Sequence, residues 1–272
     1  MTTAAVSFDH LAVGVRSWPE GFQRFARELG GQWSHGGDAG EFAPCQLTYP
    51  SGIKIELIAP GHEPSGFMHR FMARSGPGPH HLTFKVGSLP ATVDALSGLG
   101  IGVLDGRTEH PFWREAFLHP RQCGIGTLLQ VAQADDNLIP GRGMPPPAGF
   151  PADRELARSV TWVGLTAESV ERACDLFAGV LDGEVTEEGS GWARISWGPG
   201  HDLLVRGSTA PPTTAVPGHA ALWPGPELGV AHVVFGPADM TVKQLESGDA
   251  AVQPMPFDPA TTVPVWLAAR PA

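Results

Sequence analysis

The sequence predicts an α+β fold built from four copies of one unit, a strand followed by a helix and then by further strands. Three observations predict it. The strand-to-helix pattern recurs four times along 272 residues. The first two copies carry helix start and stop signals after an apolar strand. Glycine (35) and proline (27) are frequent, as many short strands joined by turns require.

The first copy opens with "SFDHLAVGV", an apolar strand from Phe8 to Val15. Ser17 and Glu20 then have capping-box spacing, and Pro19 sits in the first turn. Phe22, Phe25, Ala26 and Leu29 recur at helical spacing, and Gly30 supplies the stop. "CQLTYP" and "IKIELIAP" follow as strands around a Pro50-Ser51-Gly52 turn. The second copy is "HHLTFKVGSLPATVDALSGLG", continued by "AFLHP" and "GTLLQVAQ". The third is "SVTWVGLTAESVERACDLFAGVLDG" with "ARISWGPGHDLLVRG". The fourth is "VAHVVFGPADMTVKQLESG", ending in "VPVWLAARPA". Residues 134–157 are rich in Pro and Gly and break the pattern. They read as a linker between a first domain, 1–133, and a second, 158–272.

Composition bounds the function. Hydrophobic residues make up 42 % and charged residues 17 %, a globular balance. A formal net charge of −10 argues against nucleic acid or an anionic membrane as partner. Cys45, Cys123 and Cys174 are far apart and form no CxxC, so neither a disulfide framework nor a cysteine zinc site is expected. The N-terminus lacks the basic and apolar regions of a leader, which points to the cytoplasm.

The chemistry-bearing residues follow the repeat. His10 and His81 are 71 residues apart, and Glu56 and Gln130 are 74 apart. Each N-terminal copy thus carries a metal-competent residue early in its first strand and another in its last. Glu56 in "IKIELIAP" and Gln130 in "GTLLQVAQ" stand among apolar neighbours, where a polar side chain is costly unless paired or ligated. Strand alternation sends His80 to the face opposite His81. In the C-terminal half the matching places fall at Trp162, His232 and near Leu204 and Leu267. One histidine among apolar residues makes no divalent site, so the second domain reads as degenerate.

"DHLAVGV", "IELIAP", "FMHRFMARSGPGPHHLTFKV" and "AFLHP…GTLLQV" together resemble the vicinal oxygen chelate superfamily. They are most similar to its methylmalonyl-CoA epimerase-like and glyoxalase-like branch. The resemblance spans residues 7–133 and continues over 158–270 as topology alone. It implies βαβββ modules, two to a domain, hence four modules in two tandem domains. It implies one divalent metal (Co, Mn, Ni, Zn or Fe) on His10, Glu56, His81 and Gln130. Epimerases commonly have a carboxylate where Gln130 stands, and some have an amide where Glu56 stands; here the two are exchanged. The proton-accepting role therefore falls to Glu56, and Gln130→Glu is expected to be tolerated. Phe112, Trp113 and Arg114 lie where the family places a substrate-facing loop, and His119-Pro120 forms the turn before the last ligand strand.

The resemblance implies a metal-dependent isomerase, epimerase or lyase moving a proton next to a chelated carbonyl of a small acyl or keto substrate. Two alternatives remain. One is a non-haem iron dioxygenase using His10, His81 and Glu56 as a facial triad. The other is a metal-free resistance protein that binds a small molecule in an aromatic groove, for which eight tryptophans provide material. The expected partner is a small molecule, with neither nucleic acid nor membrane. Duplication makes one chain a pseudo-dimer, monomeric in solution or paired as a homodimer.

Overall fold

The structure is a computed structural model that describes residues 6–135, 138–139, 141–152, 158–210, 227–237, 240 and 251–269. The first module runs β1 (Ser7–Gly14), helix α1 (Trp18–Phe22), β2 (Gln32–Gly36), β3 (Phe42–Thr48) and β4 (Lys54–Pro60). After an intervening helix, α2 (Phe67–Ser75), the second runs β5 (Gly78–Lys85), α3 (Leu89–Gly98), β6 (Val103–Arg107), β7 (Trp113–Leu118), a short α4 (Pro120–Cys123) and β8 (Leu128–Ala134). Together they form one eight-stranded sheet in the order β2-β3-β4-β1-β5-β8-β7-β6. The two first strands, β1 and β5, pair antiparallel at its centre.

The third module repeats the first: β9 (Ser159–Ala167), α5 (Val170–Cys174), β10 (Glu184–Gly189), β11 (Trp192–Ser196) and β12 (Asp202–Gly207). Of the fourth, the described residues hold β13 (Gly229–Gly236), β14 (Ala251–Pro254) and β15 (Val265–Ala269). The helix expected over "MTVKQLESG" lies, after Met240, outside the described residues. Among the described residues, the second sheet has the order β10-β11-β12-β9-β13-β15-β14, which follows the first sheet's order from β2 through β7. Two tandem α+β units are thus present, as the repeat predicts.

Local signals are met unevenly. Ser88 caps α3 by accepting from Ala91 N–H at 3.4 Å. Ser17 makes no side-chain cap, and α1 passes at Gln23–Glu28 into a π-helical turn. The same passage occurs after α5, at Asp175–Val180. The repeat therefore extends to this irregularity.

Apolar residues on one face of each sheet merge into a single core that includes Leu11, Leu57, Phe84, Val163, Phe177 and Phe235. Phe8 stacks on Phe84 with ring centroids 4.8 Å apart, and Trp197 packs on Phe84 at 4.8 Å. Hydrogen bonds stitch the halves: Ile53 N–H donates to Gly200 O at 3.1 Å and Glu168 N–H to Gly124 O at 2.8 Å, and the His201 side-chain Nδ1 lies 2.8 Å from Phe8 O. Gly52, at φ +80°, leaves no room there, because a Cβ would meet both Gly200 O and Val160 O at 2.6 Å. Buried Arg24 completes the seam, donating to Pro256 O at 2.6 Å and pairing with Glu28 at 2.8 Å. With this face committed to the interface and core, the opposite face of the first sheet is left to carry polar chemistry.

Candidate functional site

Two β-bulges build the site. In a regular strand, residues two apart share a face. Phe8 and His10 do not: Phe8 pairs with Phe84 on the core side, while His10 pairs with Thr83 on the other. The extra residue is Asp9. The partner strand repeats the device, since Pro79 pairs with Val13 and His81 with Ala12, leaving His80 as the extra residue. Bulges re-aim side chains next to functional sites. Here each turns a histidine onto the polar face and sets the preceding side chain beside it.

Those neighbours hold the imidazoles. His10 Nδ1 lies 2.8 Å from Asp9 Oδ2, and His81 Nδ1 lies 2.8 Å from His80 Nδ1. A metal-binding histidine orients its ring by hydrogen bonding through its other nitrogen. This corrects the expectation that alternation sends His80 away from His81: the bulge brings both to one side, and both are buried. Asp9 is itself fixed by Lys54 Nζ, which donates at 2.7 Å, and by Lys85 Nζ at 3.1 Å.

Glu56 comes from β4, whose parallel register sets it opposite Ala12 and Lys54 opposite His10. Its Oε2 lies 3.5 Å from His10 Nε2 and 3.9 Å from His81 Nε2. One ligand-competent atom from each of the three residues falls within 4.8 Å of the others. Glu56 keeps 16 % exposure, against 1 % and 4 % for the two histidine side chains, so it is the member that solvent reaches.

Gln130 enters through Thr83. The Thr83 hydroxyl donates to Gln130 Oε1 at 2.6 Å and lies 2.9 Å from His10 Nε2. On its far side, Gln130 Nε2 donates to Glu115 Oε2 at 2.6 Å. Of the three residues expected to face substrate, Trp113 donates its indole N–H to the same Glu115 oxygen at 2.6 Å. Its ring also carries Lys85 Nζ at 5.7 Å. Arg114 pairs with Gln133, one step along and hence on the other face from Trp113. Phe112 packs against His110 at 4.4 Å. His119 starts α4 as a cap, accepting from Arg121 N–H at 3.1 Å.

Protonation follows the charges. Burial alone would depress His10, but the Glu56 charge and the Asp9 hydrogen bond overcome it and raise its pKa to about 9. Burial pushes His81 well below its usual range, and His80 and His10 beside it push further. Gln130 lies close enough to oppose that shift in part, though no hydrogen bond of normal geometry closes on His81 Nε2. Burial brings His80 down to about 4 despite Glu56 nearby. Burial works against the Asp9 carboxylate, yet His10 and the two lysines hold its pKa far below the usual range.

These residues fit a divalent cation on one observation above the rest. His81 Nε2 is buried with no hydrogen-bond partner, beside a carboxylate and a second imidazole. A buried unsatisfied polar atom costs about 1–3 kcal/mol. Two imidazole nitrogens and a carboxylate oxygen form a donor set for a first-row transition metal.

The second sheet keeps the architecture and fills the centre. Its bulges fall at Thr161 and Ala231, the places of Asp9 and His80. Trp162 takes the place of His10 and His232 that of His81; Trp162 Nε1 donates to His232 Nε2 at 3.0 Å. Register sets Leu204 in the place of Glu56. Trp266, rather than the neighbouring Leu267, takes the place of Gln130, because Val234 pairs with Trp266 as Thr83 pairs with Gln130.

Sequence reasoning does not single out Asp9, Thr83 or Glu115. One signal is present: Asp9–His10 and His80–His81 recur at the same interval of 71. Neither Thr83 nor Glu115 has a repeat-matched polar partner to mark it.

The family described as "Glyoxalase/Bleomycin resistance protein/Dioxygenase superfamily" matches residues 9–117. Among solved structures, methylmalonyl-CoA epimerase from Mycobacterium tuberculosis is 24 % identical, over 51 % of this chain and 95 % of that one, with a TM-score of 0.44. A variant of 4-hydroxymandelate synthase from Streptomyces coelicolor is 13 % identical, with a TM-score of 0.60. That likeness covers 98 % of this chain and 93 % of the synthase, so the tandem fold is shared from end to end. Nothing among the curated proteins matches.

Proposed function

We propose that this chain, whose residues 9–117 match the glyoxalase/bleomycin resistance protein/dioxygenase superfamily, is a metal-dependent isomerase, epimerase or lyase. Its reaction would be proton transfer next to the carbonyl of a small acyl or keto substrate. The observation that carries this reading is the unpartnered His81 Nε2, buried beside Glu56 and His10.

His10, Glu56 and His81 would hold the cation, with the Gln130 amide oxygen as the fourth donor. When bound, the cation supplies a Lewis acid that polarises a carbonyl oxygen. The protein does the rest. Asp9 and His80 fix the two imidazole rings through their Nδ1 atoms. Thr83 ties His10 to Gln130. The wall formed by Phe67 and Phe71 of α2, packed on His80, restricts water at that end. Glu56, the one partly exposed carboxylate of the cluster, would take the proton from the substrate carbon and return it once substrate chelation has loosened it from the cation.

Two histidines and one carboxylate also form the triad of non-haem iron oxygenases, which supports a second reading. The experiment is metal analysis of protein purified without added metal. It is followed by exchange of substrate α-protons in deuterated water and by oxygen uptake, each with small keto acids and acyl thioesters. Exchange without oxygen uptake supports the first reading, and uptake supports the second. Protein that takes up no divalent cation after dialysis against Co²⁺ or Mn²⁺ removes both in favour of metal-free ligand binding.

A further inference from the structure

Glu115 is a buried carboxylate on β7 that the proposed chemistry does not use. Its Oε2 receives two hydrogen bonds of 2.6 Å, from Trp113 Nε1 and Gln130 Nε2. An indole nitrogen can only donate. That fixes Oε2 as an acceptor, and an acceptor facing Gln130 must face the NH₂ end of its amide. The Gln130 carbonyl oxygen is then turned the other way, where the Thr83 hydroxyl meets it at 2.6 Å, one hydroxyl away from His10 Nε2. The strand register supports this: Gln130 pairs with Phe117, so Glu115 is its diagonal neighbour on the same face. Arg107 Nε, 3.4 Å from Glu115 Oε1, anchors the other oxygen.

We infer that Glu115 is a positioning residue that decides which end of the Gln130 amide faces the cation site. An amide can ligate through its oxygen and not through its NH₂. Without a fixed acceptor at position 115, both orientations compete, and the one with NH₂ toward His10 and Thr83 offers the cation no donor. The inference rests on the metal site proposed above. It also reverses the expectation that Gln130→Glu is tolerated. That change sets a carboxylate against the Glu115 carboxylate, which already lies within hydrogen-bonding distance of position 130.

The test is an exchange of the two residues. Wild type, Glu115→Met, Gln130→Glu and the double variant Glu115→Gln/Gln130→Glu are compared by thermal unfolding without metal, by Co²⁺ affinity against a competing chelator, and by the visible spectrum of bound Co²⁺. Glu115→Met, which has no acceptor oxygen, should fold and bind Co²⁺ roughly 10–100-fold more weakly, with an altered spectrum, as loss of an orienting partner typically does. Gln130→Glu should unfold at lower temperature than wild type. The double variant should recover much of that loss, since an amide at position 115 can accept from Trp113 and donate to a carboxylate at position 130. Glu115→Met binding Co²⁺ as tightly as wild type, with an unchanged spectrum, overturns the inference. So does a double variant no more stable than Gln130→Glu alone. If wild type binds no Co²⁺, the proposed function fails, and metal-free unfolding of the four proteins still decides whether positions 115 and 130 act as the pair described.

Discussion

Trp162 Nε1 donates to His232 Nε2 across 3.0 Å, in the places that His10 and His81 hold in the first sheet. The second domain thus holds, in place of a pair of potential ligands, two side chains hydrogen-bonded to each other. His232 is fully buried, and Gly164 is needed beneath it, since a Cβ there would lie 2.0 Å from the imidazole.

The first prediction is one divalent cation per chain, in the first domain only. His10→Ala/His81→Ala should abolish it, and His232→Ala should leave it intact. The latter leaves the buried Trp162 N–H without its acceptor, at a cost of about 1–3 kcal/mol. Metal content per chain and thermal unfolding read the two effects separately. Two equivalents per chain, or retention in the double variant, would count against the assignment.

A second prediction concerns the seam. A chain ending at residue 133 exposes Phe8, Phe84 and Phe25, which pack against Trp197, Phe177 and Phe235 in the intact protein. Soluble monomers rarely tolerate such a patch. The fragment should self-associate or unfold, and sedimentation of a well-folded monomer would exclude this.

How far the sequence reaches depends on which residues carry a periodic signal. His10, Glu56, His81 and Gln130 are legible because each is a polar residue in an apolar strand with a partner one repeat away. The edge strands β2 and β6 are not. All five residues of β6 are exposed, so no alternation marks it, and pairing with β7 alone defines it. Helix α2 shows in the sequence only as part of a family-like segment, because it belongs to no repeat. Alternation misplaces His80 because it assumes a regular strand, and a bulge is a property of two strands in register, which one strand's sequence does not display. The expectation that Gln130→Glu is tolerated, which the proposed role of Glu115 reverses, has the same root. The deciding residue, Glu115, sits on a neighbouring strand fifteen positions away and meets Gln130 only through the β7–β8 pairing.

A third prediction is the pH dependence of the metal-free protein. The His10 pKa is raised, to about 9, above its unfolded value. Its contribution is therefore complete below about pH 6.5 and is lost as pH rises toward 9. His80, near 4, and His81, well below the usual range, act in the opposite sense. Between about pH 4 and 6.5 the unfolded chain binds protons that these two refuse, so stability falls with falling pH. These three groups place the optimum near pH 6.5, roughly the unperturbed histidine value. Bound cation should flatten the alkaline side, because it replaces the proton on His10. Urea unfolding from about pH 5 to 9, with and without Co²⁺, checks this; a metal-free optimum at about pH 8 or above would contradict the His10 assignment.

The last prediction is mechanistic and concerns Glu56. It is the sole carboxylate of the cluster of three, and at 16 % exposure it is the member a substrate can approach. Gln130 has no proton-accepting oxygen, and the Glu115 carboxylate is occupied by Trp113, Gln130 and Arg107. Asp9 is held by His10 and two lysines and is too weak a base to compete. Glu56→Gln keeps an oxygen that can ligate and removes the base. Turnover should fall by roughly 10²–10⁴-fold, the usual loss for a general base, while metal affinity changes little by comparison. The same substitution removes the main charge that raises His10, so the His10 pKa should drop in the metal-free protein, an effect visible by NMR titration whatever the substrate. Solvent-deuterium exchange at the substrate carbon is the deciding measurement. If Glu56→Gln retains its metal, shows the shifted His10 and still exchanges as fast as wild type, the proton acceptor lies outside this cluster.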